Sequence, residues 1–383
     1  MIQSKKAATR YIHAGATPDP STGAIMTPIF QTSTYVQEGP NTHKGYDYSR
    51  AGNPTRTALE EALAVIENGK YGLAFSSGVA ATDAVIKLLK PGDEVIAASD
   101  MYGGTYRLFS KVFEKFGIRF HYINMQDASA ISKYVNNNTK LIWLETPTNP
   151  LMNIVDIEAV VNLVKGKGIL VCVDNTFASP YLQNPLDLGV DIVMHSVTKY
   201  LGGHSDVIMG SLSMNDEKLR DELHFLQKSC GAVPAPLDCF LVLRGIKTLH
   251  LRMQRHCENG EKIAHWLRGN AKVGKVYWPG FEDHPNHAIA EKQMRGFGGM
   301  ISFELKDNSI EHAKKVLTST KLFSLAESLG GVESLINHPA SMTHASIPRE
   351  ERIKNGLSDT LIRLSVGIED ADDLIEDLKT AIG

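Results

Sequence analysis

The chain has 383 residues, 43% hydrophobic and 22% charged, with 40 Lys and Arg against 43 Asp and Glu and a formal net charge of −3. At ~100–200 residues per domain that length suggests two or three domains, and the composition excludes a disordered or fibrous chain. Without a basic excess, nucleic acid is not expected as the main partner. Cys172, Cys230, Cys239 and Cys257 form no C-x-x-C pair, which fits a reducing cytoplasm. The first residues, MIQSKKAATRYIHAG, lack the apolar core of a secretory signal. Apolar runs such as residues 169–173 are strand-length, so no membrane span is expected.

In chain order, residues 1–48 lack sustained periodicity and are rich in Thr, Gly and Pro. Asn53-Pro54 then predicts a helix start, with Leu59, Leu63 and Ile66 at helical spacing and Asn68-Gly69 as the stop. A second helix is predicted from Gly78 to Leu89, halted by Lys90-Pro91-Gly92. Strands are predicted at 94–98, 119–123, 140–144, 169–173 and 191–195, alternating with helices at 105–116, 128–135 and 157–164. That alternation implies βαβ units and a mostly parallel sheet covered on both faces. After Arg244 the pattern changes to a long helix at 248–267, short strands at 273–276 and 299–305, and helices at 310–317 and 370–382. The reading is an α/β chain: an arm at 1–48, a large domain at 49–244, and a smaller α+β domain at 245–383.

Ligands of open α/β sheets bind at the carboxyl ends of strands. Asp174 follows the apolar run 169–173, and Lys199 follows the strand at 191–195 within Ser196-Val197-Thr198-Lys199-Tyr200. A lysine partly desolvated there gains nucleophilicity, although a single lysine taken alone is more often a surface residue. Ser76-Ser77-Gly78 opens a helix and offers backbone N–H groups to an anion, or small residues for tight packing. Neither a Walker loop nor a G-x-G-x-x-G fingerprint occurs. His284, His287, His338 and His344 fall in no zinc pattern, so no metal is expected. A lysine nucleophile, an acid on a neighbouring strand end and a phosphate cradle together match what pyridoxal phosphate requires.

At these residues the chain resembles the cysteine/methionine metabolism family of pyridoxal 5'-phosphate enzymes, of fold type I. The motifs are Tyr46-Asp47-Tyr48-Ser49-Arg50 with Gly52-Asn53-Pro54-Thr55, Ser76-Ser77-Gly78, Tyr102-Gly103-Gly104-Thr105, Glu145-Thr146-Pro147-Thr148-Asn149-Pro150, Val173-Asp174-Asn175-Thr176, Ser196-Val197-Thr198-Lys199-Tyr200, Ala326-Glu327-Ser328-Leu329-Gly330-Gly331 and Leu361-Ile362-Arg363-Leu364-Ser365-Val366-Gly367.

The resemblance implies a carbon–sulfur lyase in which Lys199 carries the cofactor, Asp174 faces its ring nitrogen and Tyr102 stacks on the ring and exchanges protons with the substrate. It implies that Gly78, Val79, Ser196 and Thr198 hold the phosphate, with Thr176 also against the cofactor. Tyr48 and Arg50 would reach the phosphate of a neighbouring subunit in a homotetramer with shared sites. Arg363 would grip the substrate carboxylate, with Asn149, Glu327 and Ser328 beside it. The expected reaction is γ-elimination of L-cystathionine to cysteine, 2-oxobutanoate and ammonia. The alternatives are γ-replacement of an O-acylhomoserine by cysteine, or another sulfur amino acid lyase reaction. Cys in place of Gly104 would suit methionine γ-elimination, and Trp in place of Leu329 β-elimination.

Overall fold

The computed structural model describes residues 2–345 and 347–383. The arm is not uniform. A first helix, α1 (Ala7–His13), packs on the chain's own core through buried Tyr11, whereas no residue from 15 to 52 is buried. The next helix, α2 (Pro54–Ile66), forms as its signals predict. Asn53 accepts the N–H groups of Thr55 and Arg56, Pro54 fills the first turn, and Leu59, Leu63 and Ile66 are buried.

The first sheet has seven strands: β1 (Tyr71–Phe75), β2 (Glu94–Ala98), β3 (Arg119–Ile123), β4 (Thr139–Glu145), β5 (Leu170–Asp174), β6 (Ile192–Ser196) and β7 (Gly210–Met214). Their spatial order is β1-β7-β6-β5-β4-β2-β3. β3, β2, β4, β5 and β6 run parallel, and β7 lies antiparallel between β6 and β1. Alternate side chains enter different cores. Trp143, Cys172, Met194 and Leu212 pack on one face, and Ile142, Val171, Val173 and Val193 on the other. Covering both faces are helices that include α3 (Gly78–Ile86), α4 (Gly103–Lys111) and α5 (Ile157–Val164).

A second sheet is built from β8 (Val273–Tyr277), β9 (Met300–Leu305), β10 (Ser324–Leu325), β11 (Leu335–Asn337) and β12 (Ile362–Ser365), in the order β10-β11-β12-β9-β8. Phe303 and Leu364 bury against Leu374 and Leu378 of the last helix. Arg363 lies between the core residues Ile362 and Leu364 of β12 and turns to the opposite side, as the period of two requires.

Two sequence expectations need correction. The helix predicted over 105–116 begins at Gly103, stops at Lys111 and continues as a 3₁₀ turn over Phe113–Phe116, because Gly117 takes φ +80°. The helix predicted over 128–135 is a 3₁₀ segment, Ala128–Lys133. β1 and β7 were not predicted at all. Ser211 and Ser213 of β7 are polar yet fully buried, and Ser213 Oγ donates to the Leu63 carbonyl. Their alternation with Leu212 therefore gives no strand of ordinary apolar character.

α2 lies so close to β1 that a Cβ on Gly72 would stand 2.2 Å from the Glu60 carbonyl oxygen. Gly72→Ala is expected to force the helix off the strand and destabilise the chain by about 1–3 kcal/mol. Urea unfolding followed by tryptophan fluorescence checks this; an unchanged midpoint contradicts it.

Candidate active site

A cavity of about 720 Å³ opens where β4, β5 and β6 end, between the first sheet and β12. It brings together Gly78, Val79, Tyr102, Asn149, Asp174, Thr176, Ser196, Thr198, Lys199, Glu327, Ser328 and Arg363, which are most of the residues singled out from sequence. Each comes from a strand end, a helix start or an irregular segment positioned by a strand.

Asp174 ends β5, and Glu145 ends β4 as its register partner. Both carboxyls are enclosed, and both are pushed above the usual carboxylate range, first by burial. Their surroundings differ. Asp174 accepts the Thr176 N–H at 3.1 Å and the Thr176 hydroxyl, with Lys199 also favouring its ionised form. Glu145 accepts the Tyr102 N–H at 2.9 Å and feels the charge of Asp174, which raises it further. The hydroxyl donor and the nearby Lys199 favour charge on Asp174, whereas Glu145, which also accepts the Asn149 backbone N–H, is raised further by its charged neighbour. Glu145 lies in a recognised motif, but sequence alone gave it no role; its pairing depends on which strands are neighbours.

Lys199 is lowered to about 8, first by burial and then by Arg363, against the opposing pull of Glu327 and Asp174. Its Nζ donates to Ser328 Oγ at 2.7 Å. Ser328 holds that position at φ +96°, a strained conformation for a non-glycine residue. Arg363 donates from Nη1 to Asn149 Oδ1 at 2.7 Å and from Nη2 to the Ser328 carbonyl at 3.0 Å. Its Nε is buried without a hydrogen-bond partner. An enclosed guanidinium with an unused donor is suited to a carboxylate ligand.

At the phosphate end, α3 begins with Gly78 and Val79, and Ser77 Oγ caps it by accepting the Ala80 N–H at 3.0 Å. A Cβ on Gly78 would stand 3.0 Å from the Ser196 Cβ, so the helix start lies directly against the end of β6. The Thr198 hydroxyl is committed to Met209, donating to its carbonyl and accepting its N–H. Tyr102 precedes α4 and is 40% exposed at the cavity mouth. A Cβ on Gly104 would stand 2.3 Å from its ring.

Two expected residues are elsewhere. Tyr48 is 46% exposed, with the Arg50 guanidinium 5.4 Å from its ring centre. Arg50 Nη1 donates to the Lys228 carbonyl at 2.6 Å. Neither lines the cavity of its own chain. The histidines weighed as ligands bond to backbone instead: His284 to Met152, His287 to Pro279, His338 to Asp359, and His344 to Met101 and Asn149. Among the described residues no cluster of three or more His, Cys, Asp or Glu could hold a metal, and no helix is long and apolar enough to cross a membrane.

Residues 8–383 match the family described as Cys/Met metabolism PLP-dependent enzyme. Over 376 residues, 98% of this chain and 97% of the relative, the sequence is 54% identical to cystathionine β-lyase of Coxiella burnetii. It is 51% identical over 378 residues, 98% and 96% of the two lengths, to cystathionine γ-synthase of Mycobacterium tuberculosis. A solved structure of cystathionine γ-lyase from Lactobacillus plantarum, complexed with L-serine, matches with a TM-score of 0.96 at 47% identity, covering 98% of both chains.

An amine lowered to about 8 is neutral in about a tenth of molecules at pH 7, far more than at the ordinary ~10.4. In protein stripped of cofactor, acylation of Lys199 followed by peptide mass spectrometry is expected to reach half its maximal rate near pH 8. Arg363→Met removes a positive neighbour and should move that midpoint up; Glu327→Gln removes a negative one and should move it down. A midpoint at or above 10 in the unmodified chain contradicts the description.

Proposed function

The chain belongs to the Cys/Met metabolism PLP-dependent enzymes, and we propose that within this family it catalyses γ-elimination of L-cystathionine to cysteine, 2-oxobutanoate and ammonia. The observation that carries this reading is the convergence of Lys199, Asp174 and Arg363 in one cavity with Tyr102 at its mouth. The residues fit pyridoxal 5'-phosphate: an enclosed amine, a buried acid oriented by the Thr176 N–H and hydroxyl, and a helix start free of side-chain bulk at Gly78. When bound, that cofactor supplies an electron sink for charge developing on the substrate.

In this reading Lys199 holds the cofactor covalently and, once released, takes the proton from the substrate Cα. Asp174 keeps a proton on the ring nitrogen, and Thr176 keeps Asp174 oriented. Gly78, Val79 and Ser196 bind the phosphate; Thr198 joins them by turning its hydroxyl away from Met209. Arg363 binds the substrate α-carboxylate through its unused Nε, steadied by Asn149. Ser328 receives the released amine, and Glu327 moderates the positive charge around it. Tyr102, at the cavity mouth, protonates the departing sulfur.

The Gly104 position favours this reaction over methionine γ-elimination, because any side chain there would displace the Tyr102 ring. Two other readings have specific support in the full-length similarity to a β-lyase and a γ-synthase. Separating them needs only a few kcal/mol, at about 1.36 kcal/mol per tenfold in rate. Supplied with L-cystathionine alone, the holoenzyme is expected to release 2-oxobutanoate at least tenfold faster than pyruvate. Predominant pyruvate would make it a β-lyase. Efficient condensation of an O-acylhomoserine with cysteine, with negligible cleavage, would make it a γ-synthase.

The proposal extends to assembly as a homotetramer with sites shared between subunits. Tyr48 and Arg50 are exposed on a segment without buried residues, and Ile25 and Val36 nearby are 77% and 96% exposed. Mixed under conditions of subunit exchange, inactive Lys199→Ala and inactive Arg50→Ala proteins are expected to regain activity, because a hybrid pairs an intact lysine with an intact arm. No recovery despite demonstrated exchange contradicts sharing.

A further inference from the structure

A second cavity of about 470 Å³ lies at the carboxyl ends of β2 and β3, outside the site described above. Its size falls within the ~300–1,000 Å³ of small-molecule sites. It contains neither Lys199, Asp174 nor Arg363, so it cannot host the same chemistry. Its lining is chemically divided. Asp100 provides a carboxylate, shielded enough to raise it to about 6. Lys133 and Lys354 line it as well, and both are exposed. Ile123, Met125 and Val155 supply apolar wall.

The acid is held rigidly. Asp100 accepts the Asn153 amide at 2.9 Å and the Thr148 hydroxyl. Thr148 Oγ in turn accepts the Asn153 N–H at 2.9 Å, and Gln126 donates to Asn153 Oδ1 at 2.5 Å. These donors consume one carboxylate oxygen, and the Leu151 backbone supplies the remaining recorded bond. Among the described residues no cation neutralises Asp100: its partners are a hydroxyl, an amide and a backbone N–H. A fixed carboxylate in the wall, two ammonium groups at the exposed side and an apolar flank are complementary to one molecular pattern: an ammonium and a carboxylate on a short aliphatic chain.

We propose that this cavity is a binding site for a small α-amino acid with an unbranched apolar side chain, its ammonium on Asp100 and its carboxylate between Lys133 and Lys354. The two cavities share a wall. Thr148, which bonds to Asp100, precedes Asn149, which holds Arg363. Asp100 stands two residues before Tyr102.

L-norleucine is a suitable probe because its side chain has no leaving group. Calorimetric titration of borohydride-reduced holoenzyme, in which covalent exchange at the cofactor is blocked, reads binding without turnover. The site therefore stands or falls separately from the reaction assigned above. One molecule is expected per chain. L-norleucinamide, lacking the carboxylate, and hexanoate, lacking the ammonium, should each bind at least tenfold more weakly. Lys133→Ala and Lys354→Ala, surface changes that leave the fold intact, should each weaken L-norleucine at least tenfold, and Arg363→Met should leave its affinity unchanged. Failure of the reduced enzyme to bind L-norleucine overturns the proposal. So does binding that survives in the Lys133→Ala/Lys354→Ala double variant, or that disappears in Arg363→Met.

Discussion

Two carboxyl groups on adjacent strands, in a cavity shielded from water, each raise the cost of charging the other. Removing an ionised carboxylate from water costs several kcal/mol unless it is paired or hydrogen-bonded. Glu145 and Asp174 meet this constraint because β4 and β5 end in register. Thr176 supplies an N–H and a hydroxyl to Asp174, and Tyr102 and Asn149 each supply a backbone N–H to Glu145. By accepting the Tyr102 N–H, Glu145 fixes the start of α4 and the position from which Tyr102 reaches the cavity. Asp174 and Glu327 offset the enclosed Lys199, and Glu327 and Glu145 offset Arg363. Charge, fold and site geometry are here consequences of one strand pairing.

The same cavity also joins the two sheets. Lys199 follows β6 of the first sheet and bonds to Ser328, which leads into the second. Arg363 of β12 bonds to Asn149, which follows β4. Ser302 of β9 donates to the Pro150 carbonyl at 2.7 Å. These polar contacts across the junction belong to, or lie beside, the groups assigned to the substrate. The residues proposed to hold the substrate therefore also contribute to joining the two sheets.

Much of this was legible in the sequence, and for physical reasons. The central parallel strands β5 and β6 and the middle of β2 and β4 are apolar because both faces are covered, and they alternate with helices of clear periodicity. Lys199, Asp174 and the Gly78 helix start follow from the rule that ligands gather at carboxyl ends of strands. The helix Glu217–Cys230, between its Asp216 cap and Gly231, was missed despite local signals, and other missed features depend on partners distant in sequence. β7 hides its buried serines behind a polar pattern, since Ser213 is satisfied by Leu63. Tyr11 looks like part of an unstructured arm until α1 is seen to pack against α2. The pairing of Glu145 with Asp174, the commitment of the Thr198 hydroxyl to Met209, and the second cavity all require neighbours that no local window contains.

The position of β1 has a consequence for synthesis of the chain. β1 is the first strand made, yet its only sheet partner is β7, and Phe75 pairs with Gly210. A ribosome adds ~5–20 residues per second, so roughly 7–27 s pass between the emergence of the two. Throughout that interval Leu73 and Phe75, fully enclosed in the finished protein, belong to a nascent strand with no edge to join. α2 can cover one face of it, but the hydrogen-bonding edge stays open until β7 arrives. That waiting strand is where a chaperone would engage the growing polypeptide, and where two chains on one polysome would first pair with each other in error.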